Sequence, residues 1–227
     1  MVNINPQINN KSKHSYSASD FALPIKNIIL FFSLFILCFT TNYLFSSHYN
    51  NYQSSIFLFL FSFLTLFICS LGILFFFFNP RLPEKSNTLT LPLTILLICI
   101  QALNIPNQGT GVSLTDLLTL NNVVYFFVMI FIGPVYEEVF FRGCVFGTLC
   151  TLSNKFGGNL VIPALGTSLI FSLYHSQYTT ISAYSFEFMV SIILTIIRIR
   201  TKGLIGPMLA HAALNLSAIL FLCYTLI

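Results

Sequence analysis

The feature that most constrains this chain is a recurring one: apolar runs of up to about twenty residues, each closed by a short polar break, from Pro24 onward. About twenty apolar residues is the length of helix that crosses a hydrocarbon core. Inside lipid a segment must satisfy its own backbone N–H and C=O groups, and runs of this length do so as helices. With 56% of its residues hydrophobic, 7% charged and 26 phenylalanines, a soluble domain of 227 residues could not cover so much apolar surface. The expected fold is all-α, a polytopic membrane helical bundle of about seven transmembrane helices. Their expected positions lie near residues 25–45, 56–78, 88–105, 117–149, 160–177, 183–199 and 203–226. The third, fifth and sixth are short for a span, and the fourth is long enough to need a kink, for which Gly133-Pro134 is the natural place. Breaks are marked by Asn79-Pro80, Pro83, Pro106-Asn107-Gln108-Gly109 and Gly157-Gly158-Asn159.

Charge alternates along this pattern. Lys11, Lys13 and Lys26 precede the first run, Arg81 and Lys85 follow the second, Lys155 the fourth, and Arg198, Arg200 and Lys202 the sixth. The loops SSHYNNYQSS, IPNQGTGVSLTD and SQYTTISAY hold no Lys or Arg. The positive-inside rule then predicts an integral multi-pass protein with a cytoplasmic N-terminus. The net charge of +4 falls between the runs, which points to membrane orientation and away from nucleic acid. Residues 1–21 read as a flexible polar tail, 22–118 as three N-terminal helices and 119–227 as the part that carries chemistry. Six cysteines without a CxxC pair read as small buried hydrophobes.

Ionisable groups inside the spans cost free energy and mark function. Here they are Glu137, Glu138, Arg142, His175, Glu187 and His211, with Asn215 as an amide companion. Measured from the basic loops at 1.5 Å per residue, Glu138 lies about 18 Å deep, His175 about 21 Å and His211 about 12 Å. Three helices can therefore bring them to one level, buried from the cytoplasmic side, and the expected site cavity opens to the cytoplasmic side. Glu138 and Arg142 are four apart and form an ion pair on one helix face. Glu137 has Phe141 at that offset, no local cation, and reads as the free carboxylate. His211 and Asn215 share a face, and Phe171 sets an aromatic wall beside His175. Glu187 reads as interfacial, near the outer end of its helix.

The segments EEVFFR at 137–142, FSLYH at 171–175 and HAALN at 211–215 match EExxxR, FxxxH and HxxxN in order. Together they resemble the CAAX-protease and bacteriocin-processing (CPBP, or Abi) family of intramembrane proteases, which includes the type II CAAX prenyl endopeptidases. The resemblance covers roughly residues 120–226. One departure is that Phe186 is followed by Met189 and Ile193 where the family often carries small residues.

The resemblance implies an intramembrane endopeptidase acting on a membrane-associated, prenylated or leader-peptide substrate. Glu137, aided by His175, would activate water, and His211 with Asn215 would stabilise the oxyanion. Glu138 would belong to the catalytic set with Glu137, His175, His211 and Asn215, Arg142 would be its structural ion-pair partner, and Phe171 and Phe141 would contact substrate. Glu138, His175 and His211 could alternatively hold zinc, although no HExxH is present and the metal-independent reading is preferred. A catalytically silent scaffold or immunity protein and a proton-coupled transporter are the competing readings.

Overall fold

A computed structural model describes residues 16–48, 55–78, 89–103, 117–175 and 179–224. The expected Lys11, Lys13, Arg81 and Lys85, the turns at 79–83 and 106–109, and Asp116 lie outside these. Among the described residues there are seven long helices and no strand: α1 (Ile25–His48), α2 (Ser55–Ile73, closing in a π turn Leu74–Phe78), α3 (Thr90–Leu103), α4 (Leu120–Asn154), α5 (Val161–Tyr174), α6 (Ile181–Thr201) and α7 (Ile205–Tyr224). Five of them (α1, α2, α4, α6 and α7) are long and apolar enough to cross a membrane; α3 and α5 are shorter. The all-α polytopic bundle is as expected. The sixth helix is longer than its apolar run implied, because Thr180 caps its start by accepting from the Ala183 N–H at 3.3 Å.

Side chains are sorted for lipid. Ile29, Ile36, Ile68, Phe76, Leu91 and Leu209 point outward, whereas Glu138, Arg142, Thr167, Ser168, Ser191 and Thr195 are buried. A membrane bundle can do this because lipid is as apolar as the core, so large apolar side chains lie outside as readily as inside.

The α4–α5 hairpin turns at Gly157 (φ 102°) and Gly158 (φ 72°), a backbone shape that glycine adopts without a Cβ clash. This hairpin corrects one expectation. The tail read as flexible through residue 21 is docked from residue 16: Ala18 donates its N–H to the Gly158 carbonyl at 2.9 Å, and Phe21 is buried against Phe146. Beyond it, Leu23 packs so tightly on Gly147 that a Cβ there would lie 2.7 Å from the leucine Cγ. Lys26, Lys155, Arg200 and Lys202 are exposed at this end of the bundle, and Lys202 lies over the Tyr16 ring at 4.8 Å. The six cysteines are unpaired; Cys144 and Cys150 are buried, but Cys99 is exposed rather than internal.

Two π segments interrupt α4, at Val128–Ile132 and Val139–Val145, on either side of the glutamates. The first has a covalent cause. Pro134 has no N–H to continue the helix, and the Gly133 N–H bonds to Val128 O, five residues back. The expected irregularity at Gly133-Pro134 is thus a widened turn.

Candidate active site

Each interruption frees a carbonyl, and a side chain from elsewhere takes it. Met129 O loses its α-helical donor because Gly133 bonds to Val128, and its π-helical donor would be Pro134. Asn215 of α7 donates its amide to it at 2.7 Å. In the second segment the Phe146 N–H turns to Gly143 O and Phe141 O, and the Arg142 carbonyl accepts from Arg198 Nε of α6 at 3.5 Å. At the end of α5 the His175 N–H bonds to Ser172 O, and the freed Phe171 carbonyl accepts from the His175 ring at Nδ1, 2.9 Å away. Buried carbonyls left empty would each cost on the order of 1–3 kcal/mol, so the motif side chains are also the caps of their own helix irregularities.

Between these caps runs a chain of polar contacts. Arg142 Nη1 donates to Glu138 Oε1 at 3.0 Å, and its Nη2 donates to Ser191 Oγ at 3.0 Å and to Ser191 O at 3.3 Å. Both members of the pair are fully buried. The Arg142 guanidinium also lies 4.5 Å over the Phe171 ring. His211 Nδ1 meets Glu138 Oε1 at 2.8 Å; an ionised carboxylate can only accept, so the nitrogen carries the proton. His211 Nε2 then faces Glu137 Oε2 at 3.8 Å. Glu137 Oε1 accepts from the Tyr136 hydroxyl at 3.1 Å, while its Oε2 is buried without a hydrogen-bond partner. Glu138 Oε2 is likewise buried without a partner, so the two glutamates differ in placement: Glu138 is bound at Oε1 by Arg142 and His211 and lies behind the cavity, whereas Glu137 lines it.

Glu137, His175, His211 and Asn215 line one cavity of about 620 Å³. Its walls are Phe59 and Phe63 of α2, Gln101 of α3, Tyr125 and Phe126 of α4, and Phe186 of α6, among others. Helices α2 and α3 thus contribute to the site, although their sequences carry no motif. Gln101 is held there by Ser217 of α7 at 2.5 Å.

Several expectations change. Phe141 and Phe171 do not line this cavity; they are buried and meet edge to face, with ring centres 4.9 Å apart. Phe171 also meets the rings of His175 at 4.5 Å and His211 at 6.2 Å. They support the site from behind, because Arg142 and the two imidazoles need a ring to pack on. Glu187, read as interfacial, is buried and lines the cavity. Its signal was available four residues on, at Ser191, the polar group that shares its helix face and holds Arg142. Among the described residues no three His, Cys, Asp or Glu side chains are placed to share a metal ion. Glu138, His175 and His211 are therefore not grouped to share zinc in this arrangement. The cavity also extends from Glu137 and His211 toward the ends of the helices at Tyr125, Gln101, His175 and Glu187, away from the basic end. A cytoplasmic N-terminus and a cytoplasm-facing cavity, both expected, therefore exclude each other.

Comparison with known proteins gives a partial but consistent answer. Residues 119–217 match the family described as type II CAAX prenyl endopeptidase Rce1-like. An uncharacterized 24.3 kDa protein of Escherichia coli is 31% identical over 122 residues, 53% of this chain and 55% of that protein. The membrane-embedded CAAX protease MroQ of Staphylococcus aureus (strain USA300) is 31% identical over 102 residues, 43% of this chain and 39% of that protein. The chain spans about half the length of these curated relatives. No solved structure matches it. The matched segment holds both glutamates, Arg142, both histidines and Asn215, the residues that form the site described above.

Proposed function

We propose that this chain is an intramembrane endopeptidase that hydrolyses a peptide bond of a membrane-associated substrate with Glu137 as general base. The observation that carries this reading is the uncommitted Glu137 Oε2 at the cavity wall, 3.8 Å from His211 Nε2. Such an oxygen can take a proton from a water held in the cavity, and the remaining hydroxide attacks the scissile carbonyl carbon. The proton then passes from Glu137 to the departing amine as the C–N bond breaks. His211, with its Nδ1 proton held by Glu138, presents Nε2 beside the reacting centre. When protonated there it donates to the oxyanion. Asn215 spends one amide N–H on Met129 O and has a second for the same oxyanion. His175, at the end of α5, orders the water from the opposite wall.

The positive-inside rule places Lys26, Lys155, Arg200 and Lys202 in the cytoplasm. We therefore take the cavity to open toward the opposite face, replacing the cytoplasm-facing orientation. Purified protein assayed on a membrane-peptide library tests the chemistry. Cleavage by the wild type is expected to vanish in Glu137→Gln, and persistence of the same cleavage would remove Glu137 from the reaction. A chelator added in parallel tests the metal-independent scheme, which requires that activity survive.

A further inference from the structure

We propose that Tyr136 is a positioning residue whose hydroxyl holds Glu137 Oε1, so that proton transfer runs through Oε2; this rests on reading Glu137 as the general base. Residues adjacent on a helix point about 100° apart, and their side chains do not ordinarily face each other. Tyr136 nevertheless donates to Glu137 Oε1 at 3.1 Å. The cause lies outside α4. The Tyr136 ring is buried in a core cluster drawn from α1, α2, α4 and α7, with Phe35, Leu66, Val139 and Met208 among its members. Phe63 of α2 meets it edge to face, with ring centres 5.7 Å apart. The ring is thus fixed in the core, and the hydroxyl reaches Glu137 at the cavity wall that both residues line.

A carboxylate that acts as a base needs such a hold. The last torsion of a glutamate side chain is broad, so its two oxygens can swing about the Cγ–Cδ bond. The bond at Oε1 stops that swing, and Oε2, which has no hydrogen-bond partner, stays 3.8 Å from His211 Nε2. A neutral donor suits the task. An arginine, as at Glu138, would bind the oxygen more strongly but would favour the charged form and weaken the base. The hold also lasts through the reaction. When Oε2 takes a proton from water, Oε1 becomes the carbonyl oxygen of a carboxylic acid and still accepts from the tyrosine. The donor at Oε1 therefore directs the proton to Oε2, and from Oε2 it passes to the departing amine. Helices α1 and α2, which carry no motif, set the aim of the base through one ring.

The test uses the full chain in lipid discs and Tyr136→Phe, which keeps the ring against Phe63 and removes the hydroxyl alone. On a fluorogenic peptide that the wild type cleaves, kcat is expected to fall about tenfold while KM stays within about twofold. An unchanged kcat, or a loss carried by KM, overturns the proposal. A second measurement needs no turnover. The infrared difference between wild type and Glu137→Gln isolates the carboxyl bands of Glu137. The difference between Tyr136→Phe and the Tyr136→Phe/Glu137→Gln double variant isolates the same bands without the hydroxyl. The bands are expected to shift between the two pairs, and superimposable bands overturn the proposal. The two readings fail separately. Cleavage that persists in Glu137→Gln removes the base, and the role of Tyr136 with it. Full kcat in Tyr136→Phe beside an inactive Glu137→Gln removes the role of Tyr136 alone.

Discussion

The two halves of α4, which meet at Glu138, answer opposite demands. Below Glu138 the helix is closed: Arg142 is pinned to Ser191, Arg198 reaches the Arg142 carbonyl, and Phe21, Phe146 and Cys150 pack around it. Above it the helix borders open volume, with Tyr125, Met129, Tyr136 and Glu137 on the cavity wall. Both halves carry a π segment, and both freed carbonyls are capped by another helix. The difference lies in the carboxylates. Each keeps Oε2 without a hydrogen-bond partner, but Glu138 faces the closed half, bound at Oε1 by Arg142 and His211, and Glu137 faces the open half on the cavity wall. Adjacent residues of one type thus acquire different chemistry from which half of the helix surrounds them.

The comparison can be broken first at Glu137. Glu137→Gln should lower the cleavage rate by about 10³-fold with unchanged helical content by circular dichroism, since a general base contributes on that order. The mirror experiment is Arg142→Met, which strands Glu138 in the closed half. It should destabilise the protein by roughly 3–5 kcal/mol in a detergent unfolding titration, and the double variant with Glu138→Gln should recover part of that loss. Wild-type stability in Arg142→Met would mean the closed half is not held by its ion pair.

A finer test addresses the carbonyl caps. Asn215→Leu should cost about 1–3 kcal/mol by leaving Met129 O unsatisfied. Adding Pro134→Ala restores an N–H at 134 and should offset part of the cost, so a strictly additive double variant would argue against the cap. Arg198→Met, whose bond to Arg142 O is longer, should cost about 1 kcal/mol in the same assay. The smallest perturbation concerns which half faces outward. In a background without the native cysteines, Thr179→Cys is expected to react with an impermeant thiol reagent on intact cells, and Lys155→Cys only after permeabilisation. The reverse pattern would restore the cytoplasm-facing cavity and overturn the charge-based orientation.

Much of the site was legible before any coordinates, and for identifiable reasons. The Glu138–Arg142 pair follows from a four-residue offset on a helix. The meeting of His211 with Glu138 follows from two depths measured from the same face, since a helix advances by a constant rise. Glu187 was misplaced because distance from a helix end was read as closeness to the interface, whereas α5 ends early and the cavity reaches that level. Phe141 and Phe171 were taken for substrate contacts because helical spacing says which residues share a face and not which neighbour covers it. The docked Ala18–Phe21 turn was missed because its polar composition resembles a free tail.

What the sequence determined by itself is the bundle, the approximate places of its helices and the small set of costly groups inside it, because lipid permits only satisfied helices and makes each buried charge conspicuous. Tertiary structure decided which of two adjacent glutamates lines the cavity, which carbonyls Asn215, Arg198 and His175 cap, and at which end the cavity lies. Those outcomes depend on packing between α2, α4, α6 and α7, and on a helix register altered at two π segments. The spacing of residues along one strand of chain carries no record of either.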